Sequence, residues 1–317
     1  MRSPLLTIGT RSSPLALAQA NEVRVRLAAA HGDLAAPDAI AIAVIRTTGD
    51  MVRDRTLAAI GGKGLFTKEI EEALLAGAID LAVHSMKDVT TWLPAGLAIG
   101  AVLEREDPRD AFFSPHARTL AELPAGAVVG TASLRRQAQV LHARPDLRVV
   151  PLRGNVETRL KKLADGAVDA TLLAIAGLKR LGLADRATSV VDTETMLPAV
   201  AQGAIGIEIR ERDQRVRRWL DPVNHPPSAA RVAAERAFLG ALDGSCKTPI
   251  AALAEIAAGD LVLRGMIIRP DGTELHETAR RGPVAAGEAM GKDAGEELRG
   301  RAGDGFFDLP LPSGTPA

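Results

Sequence analysis

The chain contains no tyrosine, and aromatic residues make up only 3% of its 317 positions. A stacking platform for single-stranded nucleic acid is therefore not expected, and the cores must be aliphatic, drawn from a hydrophobic fraction of 46%. There is one cysteine, Cys246. An internal disulfide is excluded and a reducing, cytoplasmic setting is expected, with one thiol left to explain. Net charge is also absent: 39 basic residues balance 39 acidic ones. No global field draws in nucleic acid, so any positive potential has to be local, as in a pocket. No stretch approaches the roughly 20 apolar residues of a membrane span, and residues 1–10 lack the charged start and long apolar core of an export signal. A soluble protein with neither nucleic-acid nor membrane partners is expected, working as a monomer. The histidines (His31, His84, His116, His142, His225 and His276) contain no pair at metal-ligand spacing, so no metal is expected. The glycines fit neither a dinucleotide fingerprint nor a phosphate loop, and no Gly-x-Ser-x-Gly elbow points to a serine hydrolase.

What is present is a repeated grammar of strand, turn and helix. A chain of this length exceeds the size at which one core usually stops growing, which predicts two or three domains. Residues 5–9 form a short apolar strand, Ser13 is a helix cap with Pro14 at the first helical position, and 15–30 keeps apolar residues at helical spacing. A strand over 40–45, a flexible loop at 61–64, a helix over 66–76 and a strand over 81–84 follow. Beyond 104–109, a charged stretch read as a linker, the grammar resumes. Strands at 128–129, 149–152 and 170–175 lead to turns where Ser133 and Asn155 are cap candidates. Three prolines within 221–227 mark a boundary. After a helix over 229–242, strands over 250–256, 261–268 and 273–280 are separated by Gly-Asp and Asp-Gly turns, which predicts an antiparallel sheet. A helix over 285–301 and a loose tail from 303 complete the chain.

Basic residues sit at the strand-to-helix turns: Arg11, Arg135 with Arg136, Arg153 with Arg159, and Lys179 with Arg180. Positive charge at a helix start opposes the helix dipole and needs an anion to offset it. Such turns lie at the carboxyl ends of the strands, where open parallel sheets bind ligands. Carboxylate and phosphate both suit arginine's planar fork. Ser85-Met86-Lys87-Asp88 puts a carboxylate at a strand end, which is either a surface ion pair or a group placed to stabilise a cation or move a proton. Cys246 lies in a polar turn, Asp243-Gly244-Ser245-Cys246-Lys247-Thr248-Pro249. It is either a small buried hydrophobe or a thiol activated by Lys247.

Six motifs, in order along the chain, closely resemble the porphobilinogen deaminase family, the hydroxymethylbilane synthases. They are Gly61-Gly62-Lys63-Gly64-Leu65-Phe66, His84-Ser85-Met86-Lys87-Asp88-Val89, Glu106-Asp107-Pro108-Arg109-Asp110-Ala111, Ser133-Leu134-Arg135-Arg136, Leu152-Arg153-Gly154-Asn155 and Ala176-Gly177-Leu178-Lys179-Arg180-Leu181. The resemblance implies a transferase of tetrapyrrole (haem) biosynthesis that condenses four porphobilinogen molecules, with loss of ammonia, into hydroxymethylbilane. It also implies a dipyrromethane cofactor joined by a thioether to a cysteine, for which Cys246 is the only candidate. Carried over by position, Asp88 is the catalytic carboxylate. Lys87, Ser133, Arg135, Arg136 and Arg159 hold the cofactor's acid side chains. Arg11, Ser13, Gln19, Arg153 and Arg180 bind substrate or the growing chain, with Lys63 and Phe66 on a loop over the cleft. The implied fold is α/β: two doubly wound domains resembling two-lobed solute-binding proteins, 1–103 with 203–221 and 109–198, plus an α+β domain, 226–317, with a three-stranded antiparallel sheet that presents the cysteine. Ser245 stands where the family often has a second glycine before the thiol, and Thr48 where one branch carries a basic residue. Two rival readings remain: a two-lobed binding protein for an anionic solute, which has no use for Cys246, and a cysteine-dependent acyl or phosphoryl transferase, which lacks an identifiable base.

Overall fold

The computed structural model describes residues 3–51, 66–244, 248–303 and 305–307. They divide into two compact units, one from the described parts of Met1–Arg53, Gly62–Glu106 and Gly203–Ala229, the other from those of Asp107–Gln202 and Ala230–Ala317.

The first unit is built on a five-stranded sheet. Its strands are β1 (Leu6–Thr10), β2 (Ile40–Val44), β3 (Leu81–Ser85), β4 (Leu97–Val102) and, much later in the chain, β10 (Ile205–Arg210), in the order β2-β1-β3-β10-β4. Strands β1, β2 and β3 are parallel, while β10 runs antiparallel to both β3 and β4. The sheet is therefore mixed, where the strand-turn-helix repeat alone predicts a parallel one. Helix α1 (Pro14–Ala30) buries Ala20, Val23 and Leu27 with Leu81, Val83 and Ile207. A short helix α2 (Thr48–Met51) follows β2. Helix α3 (Lys68–Leu75) packs Ile70 and Leu74 with Ala82 and Leu97. Helix α7 (Gln214–Leu220) adds Val216 and Leu220 to the α1 side.

The second unit holds another five-stranded sheet: β5 (Asp110–Phe113), β6 (Val128–Gly130), β7 (Arg148–Val150), β8 (Ala170–Ala174) and β9 (Ser189–Val191), in the order β7-β6-β8-β5-β9. Here β6, β7 and β8 are parallel and β5 is antiparallel to its two neighbours. The intervening helices are α4 (Leu134–Ala143), α5 (Val156–Ala164) and α6 (Ile175–Arg180). Helix α6 starts directly after β8, so Lys179 and Arg180 occupy its last turn. That corrects their expected place at a helix start: at this end cations complement the dipole without a ligand.

The same unit carries helix α8 (Pro226–Ala241) from Ala230 onward, the antiparallel sheet β11 (Ile250–Ala257), β12 (Asp260–Ile268) and β13 (Leu275–Pro283), and helix α9 (Gly287–Ala302). The β11–β12 turn uses Ala258 (φ 52°) and Gly259 (φ 87°), both left-handed as a tight two-residue hairpin requires. Helix α8 begins at Pro226, inside the stretch expected to be a boundary, because the first turn tolerates proline. Helices α8 and α9 approach backbone to backbone. A Cβ at Gly291 would lie 2.1 Å from the Ala234 carbonyl oxygen. The expected loose tail from 303 also needs correction. Phe306 is buried, with the Arg269 guanidinium 5.1 Å from its ring centroid; residues 308–317 lie outside those described.

Candidate functional site

In the first unit, the carboxyl ends of β1 and β3 meet the start of α1. Ser13 caps α1, its Oγ accepting from the Ala16 amide at 3.2 Å. Pro14 then fixes the first helical position. Arg11 leaves β1 just before this cap and stacks its guanidinium over Phe66, 4.2 Å from the ring centroid. At the end of β3, Ser85 hydrogen-bonds buried Gln19, whose Nε2 donates to the hydroxyl at 2.8 Å. Residues Met86–Asp88 then form a single 3₁₀ turn.

That turn is anchored from below. The Met86 amide donates to Ala204 O at 3.0 Å, and the Val89 amide closes the turn on Met86 O at 3.2 Å. Met86 is buried over Gly206, where a Cβ would lie 1.9 Å from the Met86 sulfur. A glycine in β10 thus lets the turn seat closely while Asp88 stays exposed. Arg11, Ser13, Gln19, Phe66, Ser85 and Asp88 line one pocket, together with His84, Thr67 and three apolar neighbours. An accessible carboxylate on a rigid turn, opposite a guanidinium and a hydroxyl, can hold N–H donors and favour positive charge while the arginine holds a carboxylate. Half-buried Lys87 lies on the same turn.

The second unit joins two of its basic residues through one carboxylate. Ser133 caps α4, its Oγ accepting from the Arg136 amide at 3.4 Å, and Asn155 caps α5 by accepting from the Thr158 amide at 2.9 Å. Arg135 and Arg136, in the first turn of α4, are both buried. Their Nη2 atoms donate to the two oxygens of Asp110, at 2.7 and 2.8 Å. Their Nη1 atoms donate to Leu197 O at 2.8 Å and Leu172 O at 2.9 Å. Gln202 Nε2 adds a third bond to Asp110, at 2.8 Å. Burial by itself would raise the Asp110 carboxyl, but the two guanidinium charges overcome it and hold the group well below the usual carboxylate range. The anion that these two arginines require is thus supplied in part by the protein.

The balance is incomplete in a useful direction. Two guanidinium groups face one carboxylate, and the Nε of each arginine is buried without a hydrogen-bond partner. A net positive charge with two unused donors fits an acidic ligand group, as a cofactor bearing acetate and propionate arms would supply. Arg153 is half-buried in the turn before Asn155, and burial lowers its pKa. Arg159 folds back, its Nε donating to Gly154 O at 2.8 Å.

The expected site residues therefore fall into two groups. Arg11, Ser13, Gln19, Phe66, Lys87 and Asp88 belong to the first unit; Ser133, Arg135, Arg136, Arg153, Arg159 and Arg180 belong to the second. Lys63 and Cys246 lie outside the described residues. Sequence reasoning passed over Asp110, Gln202, Ser85 and the buried pair His84–Glu208. A signal for two of them existed. Asp110 opens the apolar run Asp-Ala-Phe-Phe, and Glu208 interrupts Ile-Gly-Ile-Glu-Ile; a carboxylate in such a strand needs a buried partner. Among the described residues no group of His, Cys, Asp and Glu could hold a metal ion, and no helix is long and apolar enough to cross a membrane.

Comparison with known proteins adds to this geometry. Residues 6–218 match the family model described as porphobilinogen deaminase, dipyromethane cofactor binding domain, and residues 229–300 match porphobilinogen deaminase, C-terminal domain. A porphobilinogen deaminase of Nitrobacter winogradskyi is 59% identical over 305 residues, covering 96% of each chain. A chloroplastic porphobilinogen deaminase of Oryza sativa subsp. japonica is 58% identical over 307 residues, covering 96% of this chain and 86% of its own. Among solved structures, the methionine-binding protein MetQ superposes with a TM-score of 0.44 at 14% identity, over 69% of this chain and 89% of that one.

Proposed function

The chain belongs to the porphobilinogen deaminase family, and we propose that the pocket around Asp88 is where its reaction runs. The enzyme is a hydroxymethylbilane synthase of tetrapyrrole biosynthesis with a dipyrromethane cofactor. Its substrate, porphobilinogen, carries an aminomethyl group, an acetate and a propionate on a pyrrole ring. Breaking the aminomethyl C–N bond releases ammonia and leaves a cationic methylene-pyrrole. The Asp88 carboxylate accepts a hydrogen bond from the pyrrole N–H and stabilises that developing charge, being exposed to the pocket and fixed by its turn. Arg11 and Ser13 orient the substrate's acid groups, Gln19 sets Ser85, and Phe66 keeps the Arg11 guanidinium flat at the pocket edge. The observation that carries this reading is the exposed Asp88 on a turn seated over Gly206, facing Arg11 and Ser13 in one pocket.

Dipyrromethane, when bound, supplies the free pyrrole carbon to which the first substrate is joined. Cys246 is its attachment point, through a thioether. Lys87, Ser133, Arg135, Arg136 and Arg159 hold its acid arms, and the two unused Nε donors support that assignment. Arg153, Arg180 and Lys63 grip incoming substrate or the lengthening chain. The domains are 1–103 with 203–221, 109–198 and 226–317, and the enzyme works as a cytoplasmic monomer. Replacing Asp88 by alanine tests the reading. With the cofactor loaded and the fold intact, kcat should fall by about 10²- to 10⁴-fold, the scale of a lost charge-stabilising or proton-handling group. Near-normal turnover would remove Asp88 from its role.

A further inference from the structure

Helix α4 carries Arg135 and Arg136 in its first turn and, one turn further on, Gln139, which is also buried. Nothing in the reaction described above uses this glutamine. Its side chain clasps both backbone groups of one distant residue. Oε1 accepts from the Leu197 amide at 2.8 Å, and Nε2 donates to Leu197 O at 3.0 Å. Leu197 is buried in the irregular stretch between β9 and β10, where no strand ladder supplies partners. A buried N–H and C=O must be paired all the same, and a carboxamide offers one acceptor and one donor, as a neighbouring strand would.

Leu197 is also where the buried arginine meets the antiparallel sheet. Its carbonyl accepts a second bond, from Arg135 Nη1 at 2.8 Å, so Gln139 and Arg135 share that oxygen. The Arg135 guanidinium is thus held at two points, Leu197 O and Asp110. The Leu197 side chain packs with Ala251 and Leu253 of β11 and Met266 of β12. The next residue ties the backbones together, the Ala252 amide donating to Pro198 O at 3.2 Å. Strand β11 opens at Ile250, shortly after Cys246 in the chain.

We propose that Gln139 is a positioning residue for the cofactor: by clasping Leu197 it sets the Arg135 guanidinium relative to β11, and so the spacing between an arginine that holds an acid arm and the strand that follows the attachment cysteine. A ligand tethered at one point and gripped at another tolerates little change in the distance between them. The inference rests on the reading that Arg135 holds the cofactor and Cys246 anchors it. Removing the clasp also leaves buried backbone groups unpaired, which costs stability, so position and stability have to be separated.

Intact mass gives the fraction of purified polypeptide carrying two linked pyrrole units, and thermal melting gives stability, in wild type, Gln139→Met, Gln139→Asn, Val140→Ala and Arg135→Leu. Gln139→Met keeps the length of the side chain and removes both bonds; the loaded fraction should fall about tenfold. Val140→Ala trims a buried neighbour on the same helix and leaves the clasp intact. It should melt lower yet load like wild type. A folded Gln139→Met that loads like wild type overturns the proposal, and so does an equal loss of cofactor in Val140→Ala. If Gln139→Met does not fold, Gln139→Asn, which keeps both polar groups but shortens their reach, decides by the same measure. Arg135→Leu leaves Arg136 to balance Asp110, so it should fold and lack the cofactor. Full loading of Arg135→Leu defeats the underlying reading; an empty Arg135→Leu beside a fully loaded Gln139→Met defeats only this inference.

Discussion

At the scale of single residues, buried carboxylates do more organising than the arginines that first draw the eye. Asp110 is 1% exposed and holds two guanidinium groups and an amide. Asp110→Asn leaves both arginines as buried, uncompensated charges, and breaking such a pair costs about 3 to 5 kcal/mol. Urea denaturation of the variant should show a loss of that size at neutral pH. The sign with pH follows from the depressed Asp110 carboxyl: its contribution is full above the ordinary carboxylate pKa of about 4 and is lost as pH falls toward the folded value. The gap between wild type and variant should therefore narrow in acid; a gap independent of pH contradicts the pairing. Sequence shows Arg135 and Arg136 at a helix start but not their anion, because Asp110 lies 25 and 26 residues away and meets them only through the sheet. The caps Ser13, Ser133 and Asn155 are legible because each bonds within three residues of itself.

At the scale of elements, the turn carrying Asp88 depends on a strand more than a hundred residues further along the chain. Gly206 of β10 gives Met86 its seat, and a Cβ there collides with the sulfur. Gly206→Ala should cost about 1 to 3 kcal/mol through overpacking and should lower kcat more than it raises KM, because the displaced group is Asp88. Thermal melting with steady-state kinetics checks both; an unperturbed kcat would mean that the turn adjusts freely. Two of the elements that sequence misses give it little to read. Strand β5 follows directly on a charged stretch, and β9 has only three residues, so neither offers a full period of alternation. The C-terminal hairpins are read correctly because their turn residues must adopt left-handed backbone, which Gly259 and Gly272 do. Helix α8 starts earlier than its prolines imply, since proline breaks a helix interior and not its first turn.

At the scale of the whole molecule, a chain of zero net charge concentrates unbalanced positive charge at Arg135 and Arg136 and keeps Asp88 accessible on a separate, rigid turn. The α/β class of each unit and its strand-end turns could be read from the repeated grammar of the sequence. The antiparallel insertion of β10 into the first sheet and of β5 into the second could not, because direction depends on long-range pairing. Cys246, the one thiol of the chain, lies outside the described residues. That a pyrrole chain is built while tethered to this one thiol is checked by intact-mass measurement of purified, active enzyme and of Cys246→Ser. Wild type should carry an added mass equal to two linked pyrrole units, and Cys246→Ser should carry none and be inactive. An active wild-type preparation at the mass of the bare polypeptide would contradict it.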